Sequence, residues 1–422
     1  MIPVYRACVV FLVFIFFVGL MFIYVDFIQI SNAYLGYREL IFDAKYFLWL
    51  LVFLLLTLPF LSSRFKTPSD VYIFFHIIFV VLPFSLLALS GTNHLSWSVF
   101  LFFLLIIFPV YLIRILRGLN LKFIHIPRII DRDFAYFVIL AVTFVLVGLA
   151  FMNAPQSSSL DINSAYIRRI EGRSSYPVGS LLAYSNSIVM NGFLPLLAFW
   201  AGVKRSKYLL LAPIIGWLSF YYLIGTKAPI LYIAFSFFLG VVLLSKSYRL
   251  AVLIILMALV TLLIVSVLEL YFFDYSYLAD YFFRRAFTVP AFLISTYSDF
   301  FAVFHISEWS YHSGLSSEKP VSLLIGEDFM GREGLNANTN TYVYAFISDG
   351  LFSYFFVCLV VAMTFVIMDL RFKARKSPEM VYCGFIFGIL LLEQYVGTVF
   401  LSSGFFVVLL VSLLIKDKQY YD

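Results

Sequence analysis

Apolar runs of about 18 residues or more recur from one end of this 422-residue sequence to the other, and none alternates with period two. Lipid offers backbone N–H and C=O groups no hydrogen-bond partner, so a spanning segment must satisfy them inside a helix or around a closed barrel. A barrel strand alternates apolar and polar side chains, whereas a spanning helix is apolar throughout, and the continuous runs therefore select helices. A composition of 63% hydrophobic and 12% charged residues agrees. The expected fold class is all-α, a polytopic integral membrane protein in which residues 1–422 form a single transmembrane domain. Twelve candidate spans begin near residues 7, 46, 71, 97, 134, 180, 208, 228, 250, 345, 380 and 399.

The distribution of charge orients these spans. Placing Lys and Arg on alternating sides gives 19 on the side of the N-terminus and even-numbered loops, and 10 on the other. Positive charge accumulates in cytoplasmic loops, so both termini are expected in the cytoplasm. The same asymmetry accounts for the formal charge of +6 without a nucleic-acid partner. The first run, Ala7 to Val25, is longer than the apolar core of a signal peptide and reads as a retained anchor. Cys8, Cys358 and Cys383 all lie inside apolar runs, where a small buried hydrophobe is their ordinary role.

Three outward segments stand out, the first of them residues 26–45. Residues 153–179 form the second, and residues 269–340 form a loop of 72 residues, a length that calls for its own structure or a function. The first half of the large loop mixes aromatic residues with a few charges at helical intervals, as a helix resting along the outer interface would. Its second half, with Gly314, Pro320, Gly326, Gly331 and Gly334, reads as turns.

Charged residues on the outward side are sparse enough to take singly. Lys227 sits in a turn between two apolar runs. Gly225 permits a tight bend, and Pro229 suits the first turn of the next helix. A helix N-terminus and an ammonium would then present positive potential at one point, as an anion site requires, while a lysine reaching to the headgroups needs no ligand. Arg168 and Arg173 lie in the shorter loop, and guanidinium groups bind phosphate oxygens in pairs. Arg284 and Arg285 are adjacent, so on a helix they point about 100° apart and at most one faces a given site. Asp299, His305, Glu308 and His312 follow. The last three share a helix face by their spacing, which suits general-base duty for one of them better than a metal site, for which no further ligand is evident. Asn336 to Gly350 lead into a late span. Asp349 lies 20 residues before the cytoplasmic Asp369, about 30 Å of helix or one hydrocarbon thickness, which places it at the outer boundary. Glu393 and Gln394 fall inside the span that begins near residue 380, where they stabilise packing or border the same cavity.

The Gly225-Thr226-Lys227 turn, the large late loop rich in aromatics and arginine, and the Asn340-Thr341-Tyr342 and Ser348-Asp349-Gly350 stretches together resemble Wzy-type bacterial O-antigen, or oligosaccharide repeat unit, polymerases. This chain has Lys227 where many relatives carry arginine, and Asp349-Gly350 lacks an intervening Phe. The resemblance implies a GT-C-like fold and a metal-independent glycosyltransferase without cofactor, acting on lipid-linked sugars at the periplasmic face of the inner membrane. The growing polysaccharide on undecaprenyl diphosphate would pass to a hydroxyl of a newly arrived repeat unit. Lys227 would hold diphosphate oxygens with Arg168 or Arg173 and one of Arg284 and Arg285, and the base would come from Asp299, His305, Glu308 or Asp349. A chain-length-determining copolymerase is the partner that the resemblance implies. A lipid-linked oligosaccharide flippase and an O-antigen ligase are the alternatives. A flippase needs no large outward loop, and a ligase shares the chemistry but differs in acceptor.

Overall fold

The computed structural model describes residues 2–88, 97–119, 127, 129–161, 164–177, 179–243, 250–304 and 320–416. Among the described residues helices carry the chain and no strand forms. In chain order they are α1 (Val4–Ser31), α2 (Ala44–Phe60), α3 (Pro68–Leu87), α4 (Trp97–Gly118), α5 (Arg132–Met152), α6 (Ala165–Ser175), α7 (Leu181–Val203), α8 (Lys207–Ile224), α9 (Ala228–Leu243), α10 (Ala251–Phe273), α11 (Ala279–Val303), α12 (Thr341–Arg375), α13 (Pro378–Leu390) and α14 (Phe405–Leu414). Nine of the described helices (α1, α3, α4, α5, α7, α8, α10, α11 and α12) are long and apolar enough to cross a membrane. Each of the twelve segments read from hydropathy corresponds to a helix, but α2, α9, α13 and α14 are shorter apolar ones of 10–17 residues. The remaining long helix, α11, lies in the segment assigned to the large outward loop.

The chain forms two compact units. One comprises Met1–Asn120, Arg249–Val366 and Gly388–Tyr395, and the other Leu121–Tyr248, Ile367–Phe387 and Val396–Asp422.

In the first unit α1 packs along α10, with the Leu263 side chain lying where a Cβ at Gly19 would point. α11, expected along the outer interface, is long and apolar enough to cross a membrane. Its buried residues Ala279, Phe283, Phe287, Ala291, Ile294 and Phe301 recur at helical spacing and turn one stripe into the unit. The Phe287 ring lies 5.1 Å from that of Phe16 on α1 and 4.5 Å from that of Phe79 on α3, and Phe292 stacks on Tyr37 at 4.6 Å. A polar thread runs through the same apolar interior. The hydroxyls of Tyr72 and Tyr342 meet at 2.5 Å, and the Nε2 of His76 lies 2.7 Å from the Ile106 carbonyl. Most buried polar groups are paired in this way. One end of the unit is tied by Asp70, near the start of α3. Its carboxylate accepts from the backbone N–H groups of Lys66 and Thr67, and from Arg114 at 3.2 Å and Arg117 at 2.9 Å.

In the second unit α7 and α9 cross backbone to backbone. A Cβ on Gly202 would strike the Phe237 carbonyl, and one on Gly240 the Phe199 carbonyl; small residues allow membrane helices to approach this closely. Arg132 at the start of α5 is buried against Glu379 at 2.7 Å, and the other oxygen of Glu379 accepts from Ser377 at 2.8 Å. Lys204 pairs with Asp133, and Phe199 stacks on Tyr382 at 4.7 Å.

Candidate functional site

The candidate residues gather in two constellations, one within each unit. In the second unit α8 ends at Gly225, whose φ of +65° is the left-handed conformation of a helix C-cap and whose N–H donates to the Tyr221 carbonyl at 2.9 Å. Residues 225–227 turn the chain into α9. Trp217 Nε1 donates to the Thr226 carbonyl at 3.2 Å, and the Thr226 hydroxyl points to Met190 Sδ at 3.4 Å, so the turn is held from both sides. Lys227 is exposed at its tip.

Gly225 packs directly on the backbone of Ala165, where α6 begins. One turn further along α6, Arg168 is fully buried. Its Nη1 donates to Ser159 Oγ at 2.7 Å, to the Asp161 carbonyl at 2.7 Å and to Ser164 Oγ at 2.6 Å. The guanidinium carbon lies 5.2 Å from the ring centre of Tyr221. Nε and Nη2 of Arg168, and the hydroxyl of Tyr221, have no hydrogen-bond partner among the described residues. The far end of α6 is fixed by Tyr176, which donates to the Ala150 carbonyl at 2.8 Å and whose hydroxyl burial pushes up to about 12. Burying a guanidinium is costly in proportion to the N–H groups it leaves unpaired. The Gly225–Ala165 contact thus brings the turn that carries Lys227 against the helix that carries Arg168. Arg173 lies on the same helix, but its side chain is outside the described residues.

In the first unit the constellation forms around the start of α12. Tyr297 on α11 donates to the Ala337 carbonyl at 2.9 Å, and Asn340 Oδ1 accepts the Tyr342 N–H at 3.0 Å. The Thr341 N–H donates to the Leu391 carbonyl at 3.1 Å, fastening the turn after α13 to α12. That turn carries Glu393 and Tyr395, and the rings of Tyr395 and Tyr344 lie 5.4 Å apart. Glu393 is therefore in a turn, not within a span as the hydropathy suggested, because α13 ends at Leu390. Solvent reaches its side chain, yet protein crowds the carboxyl and pushes it above the usual carboxylate range, an effect the Arg285 charge offsets in part.

Adjacent Arg284 and Arg285 point apart. Arg284 is buried with its Nε on Asp280 at 2.6 Å, whereas Arg285 is exposed. Both lie in Ala279–Thr288, a stretch with the wide turns of a π-helix. Asp349 is exposed, immediately before a break in α12 at Gly350, where φ is +75° and ψ −165°. Asp299 is paired with Arg38 at 2.9 Å, so its carboxylate is engaged. His305, Glu308 and His312 lie outside the described residues. Among the described residues no three His, Cys, Asp or Glu side chains come together as metal ligands. Sequence reasoning missed Tyr221, Tyr344 and Tyr395, since aromatic residues are common throughout this chain, and it gave Glu393 a lesser role than its surroundings suggest.

These features define a multi-pass, all-α membrane protein with sparse cations and carboxylates gathered at helix ends. Comparison with protein-family models, curated proteins and solved structures finds no match.

Proposed function

We propose that this protein is a metal-independent glycosyltransferase that polymerises undecaprenyl-diphosphate-linked oligosaccharide repeat units into O-antigen or a related surface polysaccharide. It acts at the periplasmic face of the bacterial inner membrane, with both termini cytoplasmic. The observation that supports this most is the buried Arg168, two of whose nitrogens lack partners among the described residues while its neighbour, the Gly225-Thr226-Lys227 turn, exposes an ammonium. A departing diphosphate accumulates negative charge on its oxygens, and preorganised cations stabilise it most as the bond to the sugar breaks. Arg168 and Lys227 are the groups assigned to it.

The reaction needs little else from the protein. A hydroxyl of the incoming unit attacks the anomeric carbon of the growing chain, undecaprenyl diphosphate leaves, and a carboxylate takes the hydroxyl proton. A copolymerase that sets chain length is the expected protein partner.

The test is incubation of the purified protein with a lipid-linked repeat unit. A ladder of longer glycans is expected, with Lys227→Ala slowing it about tenfold or more, as loss of a charge-assisted contact does. Translocation across vesicles without elongation would instead identify a flippase. Transfer only to lipid A core would identify a ligase.

A further inference from the structure

We infer that one end of the first unit, where the start of α1, the end of α4 and residues 61–67 between α2 and α3 converge, binds an anionic phospholipid whose phosphodiester is held by Arg6, Arg64 and Lys66. Such a site requires only that the chain lie in a bilayer, and it stands apart from the glycosyl-transfer reading.

Hydrogen bonds and a ring contact draw these residues together. Arg6, near the start of α1, donates from Nη2 to the Pro59 carbonyl at 3.5 Å, at the end of α2. The next carbonyl, that of Phe60, accepts from Arg114 on α4 at 3.2 Å, and Arg114 also donates to Ser62 Oγ at 2.8 Å. Arg64 turns back to α1, its guanidinium carbon 4.6 Å from the ring centre of Tyr5. Two residues on, the Lys66 N–H donates at 3.0 Å to Asp70, the carboxylate that Arg114 and Arg117 share. Arg6, Arg64, Lys66, Arg114 and Arg117 thus collect around one buried carboxylate.

The balance of charge and the surroundings point to the ligand. Asp70 is met by two guanidinium groups, so the charge of Arg6, Arg64 and Lys66 is not offset within the cluster. Arg6 and Lys66 are exposed and Arg64 is half-buried. Basic residues gathered where membrane helices end attract anionic headgroups, and guanidinium groups bind phosphate oxygens in pairs. Beside these cations Tyr5, Phe60 and Tyr111 are half-buried, with the rings of Phe60 and Tyr111 4.0 Å apart, and aromatic residues are enriched at the headgroup boundary. Further along the same helices, Phe11 and Phe14 of α1 and Leu51 and Leu55 of α2 are exposed and offer apolar surface to acyl chains. Cations, aromatic rings and apolar side chains in that order match a lipid better than a soluble anion.

The experiment titrates phosphatidylglycerol or phosphatidylcholine into full-length protein in detergent and counts bound lipid by native mass spectrometry. Wild type is expected to bind phosphatidylglycerol about tenfold or more tightly than phosphatidylcholine. Arg64→Gln and Lys66→Gln are each expected to weaken phosphatidylglycerol binding about fivefold, the effect of one basic residue beside an anionic headgroup. Lys45→Gln, which removes the same charge at the opposite end of α2, is expected to leave it unchanged. Equal affinity for the two lipids, or equal weakening by Lys45→Gln and Lys66→Gln, would overturn the site. Inorganic phosphate that displaces phosphatidylglycerol at matching concentration would overturn the lipid assignment in favour of a soluble anion. Should Arg64→Gln fail to fold, the exposed Lys66 decides: unchanged binding in Lys66→Gln overturns the site.

Discussion

Gly225 and Ala165 meet backbone to backbone, with no space between them for a β-carbon. The contact sets the turn bearing Lys227 against the helix bearing Arg168, and it needs glycine twice over, for its left-handed φ of +65° and for the approach itself. Gly225→Ala is expected to destabilise the protein by about 1–3 kcal/mol, the range for strain of this kind. A lower thermal midpoint in detergent, together with weaker binding of a soluble diphosphate, is the outcome to look for. An unchanged midpoint would mean that the turn tolerates displacement.

The break in α12 supplies a second case. At φ +75° and ψ −165°, Gly350 occupies a region open in practice to glycine only. Alanine there must either carry the strain or straighten the helix, and straightening re-aims Asp349. Gly350→Ala is expected to cost about 1–3 kcal/mol of stability and to reduce elongation. Gly350→Ala with native midpoint and native activity would show that the break has no such role.

The class of this protein is legible because the bilayer imposes a length and a polarity that residues report one by one. The Gly225 turn is legible for a similar local reason, and so is the divergence of Arg284 and Arg285, which follows from adjacency on a helix. Which arginine turns inward is not, because it depends on Asp280 and on the helices around α11. The packing of α11 escaped notice because an amphipathic stripe reads alike whether it faces lipid headgroups or other helices. Arg168 looks solvated in sequence; Ser159, Asp161 and Ser164 close over it only once the loop has folded. Glu393 was hidden by the apolar residues on either side, which suggested an unbroken span.

Asp70 offers a test of stability remote from the proposed chemistry. Its side chain is 4% exposed and gathers Arg114, Arg117, Ser62 and two backbone N–H groups. Asp70→Asn keeps the shape but removes the charge that both guanidinium groups share. The expected loss is about 1–3 kcal/mol, since the arginines are partly solvated and recover some hydration. Denaturant unfolding of the purified protein measures it. Lys416→Ala, at a terminal exposed lysine, is expected to leave the midpoint unchanged.

A pH dependence of stability follows from Glu393 and Arg285. Crowding by protein raises the carboxyl above the usual carboxylate range, and the Arg285 charge pulls it part of the way back. A raised folded-state value means that the folded protein holds the proton at pH values where the unfolded chain has lost it. The stability this contributes is full below the unfolded value and is lost as pH rises through the folded one. Arg285→Gln removes the charge that favours ionisation and leaves the crowding, so the folded-state value rises further and the loss of stability is expected to move to higher pH. Thermal midpoints in detergent across the acid range measure it, with Glu393→Gln expected to remove this part of the pH dependence. A pH profile of the midpoint that is the same in Arg285→Gln and wild type would separate the two residues electrostatically.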